Sequence, residues 1–225
     1  MHISVLILVA NDKHHIERLC EILDHGLKKL SFDYEIIFLD NASRDGTAKI
    51  LDQVASRRGH VRVVTSKRRC SFGEGLRALL EKAQGDIVVY SDALMPVKLD
   101  ALPFLMEKMR DADLLIASRF QDRITAASVQ ASFSFWVYRL VSRFFLKIPF
   151  KDLHPGLLMM HREVIPALAL ASKSKNIFPE IFIGAKRKKL TVQECFIDKR
   201  LLAPIPPTQQ SCSLFEIVDL FRLKS

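Results

Sequence analysis

Two hydrophobic periods alternate along the first half of the chain. Short β-branched or aliphatic runs at residues 3–10, 34–40, 61–65, 87–92 and 114–118 have the length and composition of buried strands. Between the first two, Ile16, Leu19, Cys20, Leu23, Leu27 and Leu30 recur at helical spacing, and Ile50, Leu51 and Val54 do so after the second. Further helices are predicted over residues 75–83 and 99–109. Strands alternating with helices predict an α/β class, a mostly parallel sheet flanked by helices.

Several of these strands run into polar residues: Asn11 and Asp12 after the first, Asp40 and Asn41 after the second, Asp92 after the fourth. In an open parallel sheet, ligands bind beyond the carboxyl ends of the strands, so these side chains are expected to converge on one crevice.

The second half is less regular. Residues 133–150 place Phe133, Trp136, Val137, Leu140, Val141 and Phe144 on one helical face, with Arg139, Ser142, Arg143 and Lys147 opposite. Two readings stay open, an amphipathic helix lying in a membrane interface and a core-facing helix with a solvated basic side. Pro204, Pro206 and Pro207 mark a linker, and residues 214–223 form a short amphipathic helix. The expected organisation is one domain over 1–203, with halves at 1–120 and 121–203, followed by a 204–225 appendage.

Composition narrows the class. A chain of 225 residues with 49% hydrophobic and 26% charged residues can bury a core and is not expected to be disordered. No uncharged apolar run approaches the ~20 residues of a spanning helix. The apolar start at residues 3–10 lacks a basic leader and runs into Asn11, Asp12 and Lys13, so it reads as a strand rather than a signal. Cys20, Cys70, Cys195 and Cys212 are scattered and form no C-x-x-C pair, which fits a reducing, cytoplasmic compartment, with peripheral attachment at the inner membrane face left open. The formal net charge of +9 calls for an anionic partner. No helix-turn-helix, zinc or RRM-like signature accompanies it, so nucleic acid is not expected. The seven histidines form no metal-ligand spacing, and oligomeric state is not legible.

One ordered series of motifs goes further. YEIIFLDNASRDGTAKIL, residues 34–51, resembles the strand, acidic turn and helix near the start of the inverting family 2 glycosyltransferases, which have the GT-A fold. ISVLILVAND resembles their first strand and base-contacting turn, EGLRALLEKAQGDIVVYSDAL the helix and strand leading to a metal motif, and LLIASRF the strand after it. KDLHPGLLMMHREVI is similar to the acceptor half of dolichyl-phosphate mannose synthases and polyprenyl-phosphate glycosyltransferases. The similarity spans roughly residues 3–200.

The resemblance implies a nucleotide-sugar donor and assigns residues to it. Val9, Asn11, Asp12, Asp40, Asn41, Phe72, Gly73, Asp92 and Ala93 fall at donor-side positions, Phe72, Gly73 and Gly75 as a loop approaching the phosphates. A nucleoside diphosphate needs carboxylate and amide groups near ribose and base and cations near phosphates, which gives these residue types a reason. Asp40 also reads as a helix cap, as Ser43, Asp45 and Gly46 do before Thr47. Asp92 takes the place of the first carboxylate of the family's D-x-D motif, which holds Mg²⁺ or Mn²⁺ on the leaving diphosphate. Leu94 stands where the second is expected. The ion is then held by Asp92 with donor phosphates and water, or replaced by Arg and Lys, or activity is lost and the chain is a binding or regulatory relative. Arg119 and Arg200, the latter beside Lys199, match phosphate-contacting positions. Asp152, His154 and Gly156 form the acceptor-side signature, with Asp152 as acceptor-positioning group or base, or else a cap of the turn before Pro155. A polyprenyl phosphate or a glycan would then be the acceptor.

Overall fold

The computed structural model describes residues 1–93, 98–118, 133–144, 146–198, 201 and 223. Seven strands form one sheet: β1 (His2–Val9), β2 (Asp33–Asp40), β3 (Val61–Thr65), β4 (Ile87–Ser91), β5 (Leu114–Ser118), β6 (Leu157–His161) and β7 (Val192–Phe196), in the order β3-β2-β1-β4-β6-β5-β7. All pairings are parallel except those of β6, which runs antiparallel to both β4 and β5. Five strands stand within a residue or so of their predicted bounds. β6 and β7 come from the chain's less regular half and complete the same sheet.

Strand alternation sorts side chains onto two faces. Ile3, Val5, Ile7 and Val9 of β1, with Ile36 and Phe38 of β2, pack under α1 (Ile16–Leu27), α2 (Thr47–Arg57) and α4 (Leu102–Lys108). Leu6, Ile37, Val88 and Tyr90 face α3 (Phe72–Lys82), α5 (Phe133–Phe144) and α6 (Ile177–Arg187). A strand covered on both sides must be apolar throughout, which is why β1 and β4 read as continuous hydrophobic runs. The helix expected at 99–109 is shorter: a 3₁₀ turn at Leu99–Ala101 precedes α4, and another follows it at Met109–Asp111. Pro103 in the first turn of α4 has no N–H to give, and its fixed φ suits a helix start.

A helix forms over 133–144 of the span expected at 133–150, and although Val137 and Val141 of the expected apolar face pack on the core, the most buried positions are others. Tyr138 and Ser142, four residues apart, are fully buried, and the Ser142 hydroxyl donates back to the Tyr138 carbonyl at 2.9 Å. Leu140 and Phe144 are instead 58% and 69% exposed. A tyrosine and a serine can line a core when their hydroxyls are satisfied, and Tyr138 donates to Asn176 Oδ1 at 2.8 Å.

A polar knot ties the amino ends of the strands. Ser4 Oγ donates to Glu35 Oε1 at 2.6 Å and accepts from the Gly85 N–H at 2.7 Å, while the Gln84 N–H and Arg62 both donate to Glu35 at 2.8 Å. Burial pushes the Glu35 carboxyl up, but the Ser4, Gln84 and Arg62 hydrogen bonds outweigh it and hold the group below the usual glutamate value. A carboxyl lowered in the folded state stabilises above its unfolded pKa, and that contribution fades as pH falls through the lowered value. Glu35→Gln is therefore expected to cost about 1–3 kcal/mol at neutral pH. The deficit should narrow at about pH 3, as urea unfolding at the two pH values would show.

Among the described residues no helix is long and apolar enough to cross a membrane. Cys20, Cys70 and Cys195 are free thiols. Leu94, Arg119, Lys199, Arg200, Cys212, the proline-rich segment and, Leu223 apart, the 214–223 helix lie outside the described residues.

Candidate active site

The strand order reverses at β1: β2 and β3 follow on one side, β4 on the other. This reversal opens a crevice beyond the carboxyl ends of the strands, the usual ligand position in such sheets. Asp40 is the last residue of β2, paired in register with Val9, and Asp92 directly follows β4. The two carboxylates thus stand at the same edge of the sheet, on the strands flanking β1.

Asp40 is 1% exposed, and its Oδ1 is, among the described residues, the one buried side-chain oxygen or nitrogen with no hydrogen-bond partner. Its main chain is well tied, the carbonyl accepting from Ser66 N–H at 2.9 Å and Ala42 N–H at 3.0 Å. A helix cap would spend its carboxylate on N–H groups of α2. Asp45 does that work instead: its Oδ1 accepts from the Thr47 N–H at 3.0 Å and the Thr47 hydroxyl at 2.6 Å, and its Oδ2 from the Lys13 N–H at 3.1 Å. The Thr47 hydroxyl leads the causes that hold the Asp45 carboxyl down at about 2.

Asn11 and Asn41 act as clamps. Asn11, at φ 57°, donates its N–H to Ser43 Oγ at 2.8 Å and accepts the Arg44 N–H at 2.9 Å, locking the first turn to the second. Asparagine tolerates this left-handed backbone better than most residues; Ala42 at φ 52° tolerates it less and stores strain beside Asp40. The Asn41 amide spends both ends on the Cys70 main chain, donating to its carbonyl at 2.9 Å and accepting its N–H at 2.8 Å. Its side chain therefore fastens the β3–α3 connection, in place of the ligand contact expected of it. Val9 is a core residue at 1% exposure whose carbonyl accepts the Asn41 N–H, so its side chain does not reach the crevice. Asp12 accepts the Ala10 N–H at 3.2 Å and gives its own N–H to Thr47 Oγ1 at 2.8 Å. Asp12 and Ala93 line one cavity of about 660 Å³ with Ile16, Leu19, Lys98 and Leu99, so the first turn and the end of β4 do meet.

The phosphate-loop reading of Phe72, Gly73 and Gly75 is overturned. All three belong to the opening turns of α3, which Ser71 and Glu74 close with a capping box. The Phe72 ring packs on Tyr90 and Phe178, with centroids 6.0 and 5.5 Å away. The Gly73 N–H donates to the Lys173 carbonyl at 2.7 Å, and a Cβ there would collide with the Ser172 carbonyl oxygen. Close backbone packing is reason enough for a glycine here. Gly73→Ala is expected to cost about 1–3 kcal/mol by overpacking, read as a lower urea midpoint.

On the acceptor side, the Asp92 N–H donates to the Gly156 carbonyl at 2.9 Å, joining that segment to the end of β4. Asp152 is 1% exposed, and its N–H donates to Glu194 Oε1 at 2.9 Å. A general base must come within hydrogen-bond reach of the acceptor's proton. Asp152 is as enclosed as Asp40, so its burial does not separate a positioning role from that of a base. His154 Nε2 lies 2.9 Å from the Tyr138 hydroxyl, which the Asn176 side chain also holds. That trio draws on segments 16 and 38 residues from Tyr138, and no local sequence signal announces it. Among the described residues, no three His, Cys, Asp or Glu side chains gather as a closed metal site.

The sequence pattern of the family described as glycosyl transferase family 2 matches residues 4–168. The chain belongs to this family. Relatives within reach of it include an undecaprenyl-phosphate 4-deoxy-4-formamido-L-arabinose transferase of Pseudomonas fluorescens, 28% identical over 62% of this chain and 40% of its own length. A dolichol-phosphate mannosyltransferase of Pyrococcus furiosus is 24% identical over 84% of this chain and 54% of its own. The chain thus spans about half the length of these curated relatives. A solved glucosyl-3-phosphoglycerate synthase from Mycobacterium tuberculosis, in complex with Mn²⁺, UDP and phosphoglyceric acid, superposes with a TM-score of 0.67 at 19% identity, covering 98% of this chain and 75% of that one. The family 2 chain has the GT-A fold expected of it.

Proposed function

We propose that the protein transfers a sugar, with inversion, from a nucleotide-sugar donor to the phosphate of a polyprenyl lipid at a membrane face. Asp40 carries this reading. A buried carboxylate oxygen without a partner costs stability, and its retention at the carboxyl edge of the sheet makes sense if a ligand supplies the missing donor. A nucleoside offers such donors on its base and ribose.

Asp92 suits Mg²⁺ or Mn²⁺ as one hard oxygen ligand, with the diphosphate and water completing the shell, since Mg²⁺ often takes only one or two protein carboxylates. An ion so held neutralises charge on the departing diphosphate. Arg119 and Arg200 are proposed to add cationic contacts to phosphates.

A phosphate acceptor asks less of the site than a glycan hydroxyl does. A phosphate oxygen is already anionic and attacks the anomeric carbon without a base, whereas a hydroxyl must lose a proton. Asp152, His154 and Gly156 then shape the acceptor side through the turn that Gly156 joins to Asp92. The names of the curated relatives, transferases of undecaprenyl and dolichol phosphates, support the same acceptor class.

The test is incubation with UDP- and GDP-sugars and labelled polyprenyl phosphate, with and without Mg²⁺ or Mn²⁺. Nucleotide release and a labelled glycolipid are expected. Absence of both product and nucleotide-sugar binding under every condition would remove the proposal.

A further inference from the structure

The exposed apolar side of α5 and the basic end of α6 lie next to each other. Lys186 Nζ donates to the Lys147 carbonyl at 3.3 Å, bridging the end of α6 to the segment that follows α5. Lys186, Arg187, Lys188 and Lys189 are all exposed, as are Arg143 and Lys147. Among the described residues none of these six forms an ion pair. Interaction with a helix C-terminus explains one or two cations in the last turn of α6. It does not explain uncompensated charge continuing onto Lys147, nor Leu140 and Phe144 standing 58% and 69% exposed beside it. Between α6 and the segment that follows α5 lies a cavity of about 920 Å³, with Leu146, Ile148, Phe182, Leu190 and Leu223 in its walls and Lys147 and Lys186 among its lining cations.

We infer that this face docks on an anionic phospholipid bilayer, with the cations of α6 and Lys147 on lipid phosphates and Leu140 and Phe144 entering the acyl boundary. The chemistry of the two halves selects this occupant. An apolar ridge flanked by unpaired cations matches the headgroup and acyl layers of an anionic membrane, and each cation near such a surface contributes to attachment. The inference rests on the reading that the acceptor is a membrane lipid, and it names the surface that would hold the crevice beside that lipid. From Tyr138, which touches His154, α5 runs to Phe144 at this docking face, so one helix links the acceptor side to the membrane contact.

The experiment is co-sedimentation of the full chain with vesicles of phosphatidylcholine alone and of phosphatidylcholine mixed with phosphatidylglycerol. Binding to the mixed vesicles only, weakening as salt rises, is expected. The double variant Lys186→Glu, Arg187→Glu should weaken it about tenfold or more, and Phe144→Glu should weaken it as well. Phe144 is exposed, so Phe144→Glu should leave the melting temperature without vesicles unchanged, whereas the double variant gives up the Lys186 hydrogen bond and favourable charge at the end of α6 and should melt slightly lower. Failure to bind mixed vesicles at low salt, or binding that the variants leave unaltered, overturns the inference. A drop in the melting temperature of Phe144→Glu without vesicles overturns it too, because that side chain would then be packed against the protein itself. A UDP-induced thermal shift, measured on the same samples, keeps the two readings apart. With GDP and GDP-sugars run alongside, a shift without vesicle binding sinks only the docking face; vesicle binding without a shift under any UDP or GDP ligand sinks the donor site.

Discussion

Asp40→Asn is expected to make the ligand-free protein more stable and to strip it of nucleotide-sugar binding. The wild-type carboxylate sits at 1% exposure with Oδ1 unpartnered among the described residues, so the folded state carries a desolvation cost at that oxygen. A neutral amide of the same shape relieves part of that cost. A gain on the order of 1 kcal/mol follows, and the melting temperature should rise by about 2–4 °C for a chain of this size. The same change removes an anionic acceptor from the proposed donor site. Hydrogen bonds to charged groups contribute about 1.5–3 kcal/mol, so affinity for the preferred nucleotide should fall about 10- to 100-fold. Thermal melts with and without UDP and GDP check both halves together. A melting temperature that falls while the nucleotide shift persists would show Asp40 to be a structural residue of the β2 turn and place the donor elsewhere.

Asp92→Ala should abolish turnover while sparing the fold. The residue follows β4, and its main-chain N–H bond to Gly156 survives truncation of the side chain. What is lost is the carboxylate proposed to hold the divalent ion against the diphosphate, and loss of such leaving-group stabilisation costs on the order of 10²–10³ in rate. Nucleotide release measured against Mg²⁺ and Mn²⁺ concentration is the readout: wild type should saturate, and the variant should respond weakly at any concentration. The companion variant Leu94→Asp restores the second carboxylate of the motif. If it alone creates activity, the natural chain is an impaired, ligand-binding relative. If the natural chain already turns over and Leu94→Asp changes mainly the metal dependence, a single carboxylate suffices.

Much of the first half of the chain was legible in residue order. Strands covered on both faces need unbroken apolar runs, and helices between them need an apolar stripe, so β1 to β5 and α1 to α3 announce themselves through local periodicity. Turn chemistry was legible as well: Ser43, Asp45 and Gly46 read as the entry to a helix, and Asp45 carries that load on Thr47. Asp40 stood out because a carboxylate ending a buried strand has few other reasons to be there.

What local order could not decide was every choice among surfaces competing for the same side chain. LLMMH gives no direction, and only pairing with β4 and β5 across long sequence separations makes it an antiparallel strand inserted between them. On α5 the apolar spacing offered one face, but Tyr138 and Ser142 took the most buried positions because Asn176 and His154, far along the chain, satisfy the Tyr138 hydroxyl. Asn41 looked like a ligand group until Cys70, 29 residues away, took both ends of its amide, and Gly73 looked like a phosphate loop until the Ser172 carbonyl closed over it. Sequence by itself determined where the backbone would be regular and which strand ends would carry polar chemistry, since both follow from side-chain period and turn preference. Tertiary structure alone decided which of those polar groups remained unsatisfied, because satisfaction depends on partners that only folding brings within hydrogen-bond distance.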